Sequence, residues 1–366
     1  MVNTMKRNID YVILLPILIL SIFGLLMVYS ASNVVAMHDF NDSFYYFKRQ
    51  LLFMIIGIIL MFVIIRININ IIIRYISFIF LFCLFLLILV LIPGIGVVRG
   101  GARSWIGIGT FSIQPSEFMK VGIVLLISKY LSKYYSDLIK IKYFIFLSII
   151  IIIIFLLIML QPDFGTGLVI LLSCFVFLYI CGANYKLFII IGLLGLLGIG
   201  ALIISAPYRL ERILAYLDPW SDPLGSGFQG IQSLFAITPG GLFGHGFNKS
   251  IQKHFFLPEP QNDFIFAIIV EEFGLIGGLI VLSLFFLIIY RCFKISRETN
   301  NNFCKFLLIG LPLTLAIQIF INVGVVIGLL PVTGITLPLF SYGGSSLLIN
   351  YISFGLILNA SQYHDL

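Results

Sequence analysis

The chain has 366 residues, of which 61% are hydrophobic and 10% charged, and its formal net charge is +7. Soluble domains usually carry about 25% charged residues, so the composition excludes a soluble globular domain. The positive charges lie in short connections between apolar segments, which favours a role in membrane topology over nucleic-acid binding.

Apolar stretches recur along the whole chain and are long enough to cross a bilayer as helices. A span needs about 20 residues at a rise of about 1.5 Å per residue. Because lipid cannot bond the backbone, uninterrupted apolar runs predict helices and exclude a barrel of alternating strands. The ten predicted spans are roughly 11–30, 51–68, 70–92, 116–132, 143–161, 165–182, 186–206, 263–290, 306–328 and 338–359. We therefore predict an all-α polytopic membrane protein with one domain over residues 1–366.

The distribution of Lys and Arg predicts the orientation of these spans. With a cytoplasmic N-terminus, the cytoplasmic connections carry more Lys and Arg than the outer ones, as is usual for membrane proteins. An even number of spans then places both termini in the cytoplasm. The connection between the seventh and eighth spans, residues 206–262, faces outside and contains a short amphipathic piece at 229–237. A connection of this length is usually functional.

Several outward-facing charges have both a structural and a functional interpretation. Arg103 follows two glycines beside a tryptophan, and is either an interface anchor or a cation for an anionic headgroup. Asp163 lies near the hydrocarbon boundary, where an unpaired carboxylate is costly, and it can also cap the helix that follows. Arg209 and Arg212 lie one helical turn apart, so they form either a cationic patch for two phosphates or a solvated pair of loop charges.

Asp263 opens a long apolar helix at the outer membrane surface. In a partly dry site its carboxyl would have a raised pKa and could act as a general base. The same position also fits a helix N-cap. Glu271 and Glu272 lie about two turns deeper, where an ionisable residue is a functional hypothesis by default. Pairing with a buried Arg or Lys explains these glutamates equally well, so both interpretations stay open.

Residues 328–346 combine prolines, glycines and small polar side chains at the outer face. This pattern predicts a broken, re-entrant backbone, which is tolerated only where protein or a cavity covers it. Close packing of helices through the small residues is the alternative. The four histidines have no metal-ligand spacing, and the chain lacks a Walker-type glycine loop, so we predict no metal site and no ATP-driven transport.

Five ordered blocks of this sequence resemble the SEDS family (shape, elongation, division and sporulation), and the resemblance covers nearly the whole chain. The blocks are Gly101-Ala102-Arg103 through Gln114-Pro115-Ser116-Glu117, Gln161-Pro162-Asp163, Asp218-Pro219 with Asp222-Pro223-Leu224-Gly225, Leu257-Pro258-Glu259 with Asp263-Phe264-Ile265-Phe266, and Ser341-Tyr342-Gly343-Gly344-Ser345. Residues 206–209, 218–220, 250–253 and 333–338 resemble the FtsW and SpoVE branch more than RodA. Two departures are small: Asn262 replaces a common Thr, and Phe273 a common Leu.

The resemblance implies a peptidoglycan glycosyltransferase that polymerises lipid II at the outer face of the bacterial cytoplasmic membrane, for the division septum or the spore cortex. Undecaprenyl pyrophosphate would be the leaving group, and Asp263 matches the family's proposed catalytic carboxylate. The other implied substrate-binding residues are Arg103, Arg209, Arg212, Gln229, Glu259, Ser341, Tyr342 and Gly343. Glu117, Lys120, Asp163, Glu271 and Glu272 are expected to be structural or paired charges within the bundle.

Family membership also implies partners. SEDS proteins work with a class B penicillin-binding protein, a single-span transpeptidase, and with other division or sporulation membrane proteins. A divalent cation is compatible with pyrophosphate chemistry, although no ligand cluster in the sequence demonstrates one.

Two alternative functions make different demands on the residues. A lipid II flippase needs a polar path through the bundle, whereas the strong polar groups here concentrate on one face. A passive scaffold of the division machinery needs no particular side chain at the outer face. Only the polymerase requires a carboxylate at position 263.

Overall fold

The computed structural model describes residues 9–99, 101–108, 111–135, 141–204 and 207–363. Twelve α-helices make up most of this part of the chain. They are α1 Tyr11–Phe40, α2 Tyr45–Arg66, α3 Ile69–Leu91, α4 Pro115–Tyr134, α5 Ile141–Met159, α6 Phe164–Ile180, α7 Tyr185–Ile204, α8 Pro207–Leu217, α9 Phe228–Gly240, α10 Ile265–Glu298, α11 Asn302–Val326 and α12 Gly344–Ser361. Each predicted span coincides with one of α1–α7 or α10–α12. The all-α polytopic class is therefore confirmed.

Six of the described helices, α1, α2, α3, α5, α10 and α11, are long and apolar enough to cross a membrane. α4 carries Glu117 and Lys120 in the interior of the bundle, and both side chains are almost fully buried. α11 is also mostly buried. The bundle therefore has a central layer in which polar side chains can be held away from lipid.

The ends of four helices differ from the prediction by six residues or more, and one of them is α10, which ends at Glu298 instead of 290. α1 continues ten residues beyond 30 and α2 begins six residues before 51. Ring stacking holds these polar helix ends together, between Phe40 and Tyr45 at 3.7 Å and between Tyr29 and Phe44 at 4.7 Å. α12 begins at Gly344 instead of 338, because residues 327–343 are not helical. The predicted break in the backbone is therefore confirmed, and we call residues 327–343 the re-entrant segment.

A small antiparallel sheet was not predicted. Its strands are β1 Gly96–Arg99, β2 Ala102–Ile108 and β3 Phe111–Ile113, in the order β1-β2-β3. Gly96 pairs with Ile106, which pairs in turn with Ile113. These strands are short and lie among glycines of the connecting residues, so the sequence pattern indicated a turn beside the interface. The sheet lies between α3 and α4 in the chain and brings β2 to the outer end of the bundle.

The long connection 206–262 is folded against the bundle. The predicted amphipathic piece 229–237 lies within α9, which confirms it, whereas α8 was not predicted as a helix. Tyr216 on α8 donates a hydrogen bond to the Leu329 carbonyl at 2.9 Å. Ser233 on α9 donates to the Val326 carbonyl at 2.8 Å. Both helices of the connection are therefore fastened to the end of α11 and to the re-entrant segment.

A break at Gly274 divides α10 near its outer end. Gly274 has a φ of 68° and a ψ of −171°, and residues 241–246 lie against the break. His245 N–H donates to the Glu271 carbonyl at 3.0 Å, and Leu275 N–H donates to the Gly241 carbonyl at 2.9 Å. The loop after α9 therefore supplies the backbone partners that the interrupted helix loses.

We expect Gly274→Ala to destabilise the protein by more than about 2 kcal/mol, because a positive φ is unfavourable for alanine. A Cβ there would also overlap the main chain of Leu242 and Phe243. Gly230→Ala in α9 is the matched control, since a Cβ at Gly230 meets no atom within 4 Å. Thermal unfolding in detergent should show a lower midpoint for Gly274→Ala and an unchanged or higher midpoint for the control. Equal unfolding midpoints for the two variants would contradict the expectation that a side chain at position 274 strains the backbone.

Candidate functional site

A cavity of about 1390 Å³ opens among the outer ends of α2, α4 and α6, the sheet, the 206–262 connection and the re-entrant segment. Its polar lining includes Tyr45, Arg49, Ser104, Gln114, Glu117, Lys120, Asp163, Thr166, Glu211, Arg212, Ser226, Gln229, Glu259, Asn262, Asp263, Gln318, Thr333, Thr336, Tyr342 and Ser346. The cavity brings together nine residues predicted from the sequence, eight of which carry polar side chains: Asp263, Arg212, Gln229, Glu259, Tyr342, Glu117, Lys120 and Asp163. Gly343 also lines it.

Asp263 is half-buried and lies in the last turn of the connection before α10. The N-cap residue of α10 is Phe264, and no side chain caps this helix. The geometry therefore disfavours the capping interpretation of Asp263 that the sequence left open. The carboxyl instead lines the cavity.

The surroundings of Asp263 favour its neutral form. Burial raises the pKa of the carboxyl to about 7, and the nearby negative charge of Glu259 adds to this effect. The main-chain amide of Asp263 and the cation of Arg212 act in the opposite direction. Since a carboxyl with a pKa near 7 exchanges its proton readily at neutral pH, Asp263 is suited to general acid–base chemistry.

Arg212 and Glu259 lie beside Asp263 on different parts of the connection. Arg212 donates from Nη1 to the Val332 carbonyl at 3.2 Å, which ties α8 to the re-entrant segment. Glu259 has a positive φ of 46°, and its Oε2 accepts a hydrogen bond from Asn262 Nδ2 at 2.6 Å. Gln229 lies in the first turn of α9 and also faces the cavity.

A polar chain forms another part of the cavity wall. Lys120 Nζ lies 2.9 Å from Glu117 Oε2 and donates to Gln318 Oε1 at 2.7 Å. Gln318 Nε2 then donates to the Thr336 carbonyl at 2.9 Å. The two charges on α4 are thus paired with each other. The hydrogen-bonded row of polar side chains connects α4, α11 and the re-entrant segment.

Asp163 combines the two roles considered for it. Its Oδ1 accepts a hydrogen bond from Thr166 N–H at 3.2 Å and so caps α6. Its Oδ2 accepts from Gln114 Nε2 at 2.8 Å and Ser116 Oγ at 3.2 Å. Burial raises the pKa of this carboxyl, against the effect of these hydrogen bonds. Asp163 lines the cavity as a carboxyl that is already hydrogen-bonded.

Two of the predicted substrate-binding residues, Arg103 and Ser341, lie elsewhere. Arg103 lies on β2 with its aliphatic stem against Gly96, and is not among the described residues that line the cavity. Ser341 is buried, donates to the Asn262 carbonyl at 2.6 Å and accepts from Leu337 N–H at 2.7 Å. The side chain of Arg209 lies outside the described residues.

Glu271 and Glu272 are fully buried in the first part of α10 and hold residues 248–253. Glu271 accepts hydrogen bonds from Ser250 Oγ at 2.5 Å and Ile251 N–H at 2.7 Å. Glu272 accepts from Ser30 Oγ at 2.5 Å, and Lys253 Nζ lies 3.8 Å from it. The two glutamates therefore anchor the segment that leads toward Asp263.

Arg49 is a cavity residue that the sequence analysis missed. It lies on the outer part of α2, and its guanidinium lies over the ring of Tyr45, 4.4 Å from the ring centre. That ring stacks in turn on Phe40 at 3.7 Å. The signal was available, since Arg49 directly precedes the predicted span 51–68 on the same outer face as Asp263.

Comparisons with known proteins agree with the family resemblance. The model of a family described as cell cycle protein, covering FtsW, RodA and SpoVE, matches residues 10–366. The chain is 49% identical over 362 residues to stage V sporulation protein E of Bacillus subtilis strain 168, covering 99% of each. It is 40% identical over 353 residues to the probable peptidoglycan glycosyltransferase FtsW of Geobacter sp. strain M18, covering 96% of each.

Solved structures show the same fold. A chain in a peptidoglycan synthase complex, reported for its coordination of polymerization and crosslinking, superposes with a TM-score of 0.80 at 29% identity, covering 98% of each chain. The rod shape determining protein RodA of Thermus thermophilus superposes with a TM-score of 0.73 at 25% identity, also covering 98% of each chain. From these matches we conclude that the chain belongs to the FtsW, RodA and SpoVE family of cell cycle proteins.

Proposed function

We propose that this protein is a peptidoglycan glycosyltransferase that polymerises lipid II at the outer face of the bacterial cytoplasmic membrane. The observation that carries the proposal is Asp263, a carboxyl with a pKa of about 7 in a large cavity that also contains arginines. The names of relatives, among them probable peptidoglycan glycosyltransferase FtsW and stage V sporulation protein E, support the same activity. They fit both septal and spore-cortex synthesis.

The proposed reaction transfers a sugar from one lipid-linked donor to the 4-hydroxyl of an acceptor sugar. Asp263 takes the hydroxyl proton while the oxygen attacks the anomeric carbon of the donor. The bond from that carbon to the pyrophosphate oxygen breaks, and undecaprenyl pyrophosphate leaves with the bonding electrons. This step needs one base for the proton and cations near the leaving group.

Arg49 and Arg212 are the proposed pyrophosphate ligands within the cavity. The Tyr45 ring holds the Arg49 guanidinium in place from one side, and a planar fork of donors suits phosphate oxygens. Lys120 is a weaker candidate because Glu117 already neutralises it at 2.9 Å. Among the described residues, no three His, Cys, Asp or Glu side chains come together as metal ligands.

The volume of the cavity suits a large substrate. Pockets for drug-sized ligands usually measure about 300–1,000 Å³, and this cavity measures about 1390 Å³. It therefore has room for the sugar rings and pyrophosphate of a lipid-linked disaccharide. We further propose that a class B penicillin-binding protein cross-links the product, because a structural relative belongs to a peptidoglycan synthase complex.

We expect the polymerisation rate to fall as the pH is lowered through about 7. The base must be ionised to accept a proton, and burial raises the pKa of Asp263 to about 7. Below that pH most of the carboxyl is neutral, so each unit of pH should reduce kcat/KM about tenfold. Initial rates of glycan synthesis between pH 5 and pH 9 would measure this decrease of kcat/KM at low pH. A rate that stays constant from about pH 7 down to about pH 5 would contradict Asp263 as the base.

The central test is the formation of glycan chains from lipid II by the purified protein with its cognate transpeptidase. Polymer formation would support the glycosyltransferase. If the folded complex forms no polymer, translocation of lipid II across vesicle membranes becomes the next measurement, and a flippase or a scaffold becomes the better explanation.

A further inference from the structure

Among the described residues, the hydrogen bond to the Asp263 carboxylate comes from its own main chain. Within the described ranges, no other residue donates a hydrogen bond to this carboxylate, and its helix is capped by no side chain. Burial and the charges of Glu259 and Arg212 act on its ionisation, but they do not fix its position through a hydrogen bond. The geometry of the reacting carboxyl therefore depends on how the backbone of residues 261–263 is held.

Three hydrogen bonds attach this backbone to the rest of the fold. The carbonyl of Asp263 accepts from Asn322 Nδ2 at 2.7 Å. The preceding carbonyl of Asn262 accepts from Ser341 Oγ at 2.6 Å, and that of Gln261 from Tyr342 N–H at 2.8 Å. Only the first of these bonds is made to the carbonyl of Asp263 itself.

Asn322 lies in α11 and is almost completely buried, with 1% of its surface exposed. Its Nδ2 also donates to the Ile335 carbonyl at 2.7 Å, and Ile335 belongs to the re-entrant segment. Both N–H groups of the amide therefore donate hydrogen bonds, one to each of two segments that line the cavity. Asn322 does not itself line the cavity among the described residues.

We propose that Asn322 is a positioning residue that holds the main chain of Asp263 against the re-entrant segment and so sets where the carboxylate meets the acceptor hydroxyl. This inference rests on the proposed role of Asp263. Burying a polar side chain in an apolar helix costs free energy unless the side chain makes hydrogen bonds there. The amide of Asn322 carries two N–H donors and no charge, so it can bond both carbonyls at once.

Two substitutions separate the shape of Asn322 from its donors. Asn322→Leu keeps a similar volume without any donor. Asn322→Asp keeps the shape, but its ionised oxygens would face the carbonyl oxygens of Asp263 and Ile335. We expect either change to lower kcat about 10- to 100-fold, since a small misplacement of a reacting group has an effect of this size. KM should be nearly unchanged, because Asn322 lies behind the cavity wall.

Asn359→Leu is the matched control. Asn359 is also fully buried, and its Nδ2 donates to the carbonyls of Ile64 at 2.8 Å and Ile67 at 2.7 Å at the end of α2. It does not line the cavity. Asn359→Leu should therefore lower the unfolding midpoint by a similar amount to Asn322→Leu while leaving kcat per folded molecule unchanged.

A second measurement does not depend on activity. Carbodiimides react with protonated carboxyls, so mass spectrometry of labelled Asp263 across pH reports its protonation in the full-length protein. Half-labelling should lie near pH 7 in the wild type. In Asn322→Leu it should move to lower pH, because a less constrained carboxyl gains contact with water. In Asn359→Leu it should not move.

The outcomes separate this inference from the proposed function. Equal losses of kcat in Asn322→Leu and Asn359→Leu, or an unchanged labelling midpoint in Asn322→Leu, would overturn the positioning role. If the wild type forms no polymer while the midpoint shifts as described, the glycosyltransferase proposal fails and Asn322 still sets the environment of Asp263.

Discussion

Asp263→Asn and Asp263→Ala should abolish glycan chain formation from lipid II in a protein that remains folded. A positioned general base typically contributes a factor of about 10²–10⁴ to the rate. The side-chain amide introduced by Asp263→Asn would match the carboxyl in size but could not take up the acceptor proton. Polymer length and initial rate, measured with the cognate transpeptidase present, would record the loss.

The same substitution should preserve or raise thermal stability. Burial raises the folded pKa of Asp263 to about 7, whereas an unfolded aspartate titrates near pH 3.9. Folding therefore loses stability as the pH rises between about 4 and about 7, because the carboxyl must ionise where its neutral form is favoured. Asp263→Asn removes that loss. At pH 8 its unfolding midpoint should equal or exceed that of the wild type.

Asp42→Asn is the matched control for this experiment. Asp42 is a half-buried aspartate that pairs with Lys48 at 2.7 Å and does not line the cavity. We expect wild-type polymerisation from it. Wild-type-like synthesis by Asp263→Asn would exclude Asp263 as the base, and a much lower unfolding midpoint would mean that the variant does not test the chemistry.

Lys120→Met should have the largest effect on stability. It removes one partner of a buried ion pair, in which the side chains of Lys120 and Glu117 are 6% and 7% exposed. Glu117 would then be left as an unpaired charge inside the bundle, and losses of about 3–5 kcal/mol are typical for such changes. Gln318 would also lose its donor from Lys120.

A double variant tests this explanation. Lys120→Met combined with Glu117→Gln removes both charges, so it should recover much of the stability that Lys120→Met loses. Lys133→Met is the control on the same helix, because Lys133 lies in its last turn, away from the buried pair. Thermal unfolding in detergent measures all three. A midpoint for Lys120→Met equal to that of Lys133→Met would show that the pair does not stabilise the bundle.

The sequence predicted the helices well because lipid imposes a simple rule on them. Each long apolar run needed a helix, and every predicted span lies on one. The errors lie outside the apolar runs, where this rule does not apply. α1 and α2 continue past their apolar runs through aromatic stacking, and the β1–β3 sheet forms at the interface, where short strands with glycines look like turns.

The site was predictable only in part, for a similar reason. Asp263, Glu259 and Arg212 lie in motifs that carry their own signal. Asn322 carries none, because a single Asn in an apolar helix does not reveal which carbonyl it reaches in another part of the chain. The sequence showed Arg49 beside a predicted span but did not show which residues it approaches. Its place in the cavity depends on the approach of α2 to the re-entrant segment.

The way Asp263 is held has a consequence for how this protein can change over generations. Among the described residues its carboxylate has no side-chain hydrogen-bond donor to lose, so exchanging it would remove the proposed base while leaving the hydrogen bonds that hold the fold in place. Asn322 and Ser341 are in the opposite position, since they lie outside the cavity lining yet hold main-chain carbonyls. A duplicated gene that is no longer under selection for activity could therefore lose Asp263 early and still encode a folded membrane protein with a purely structural role.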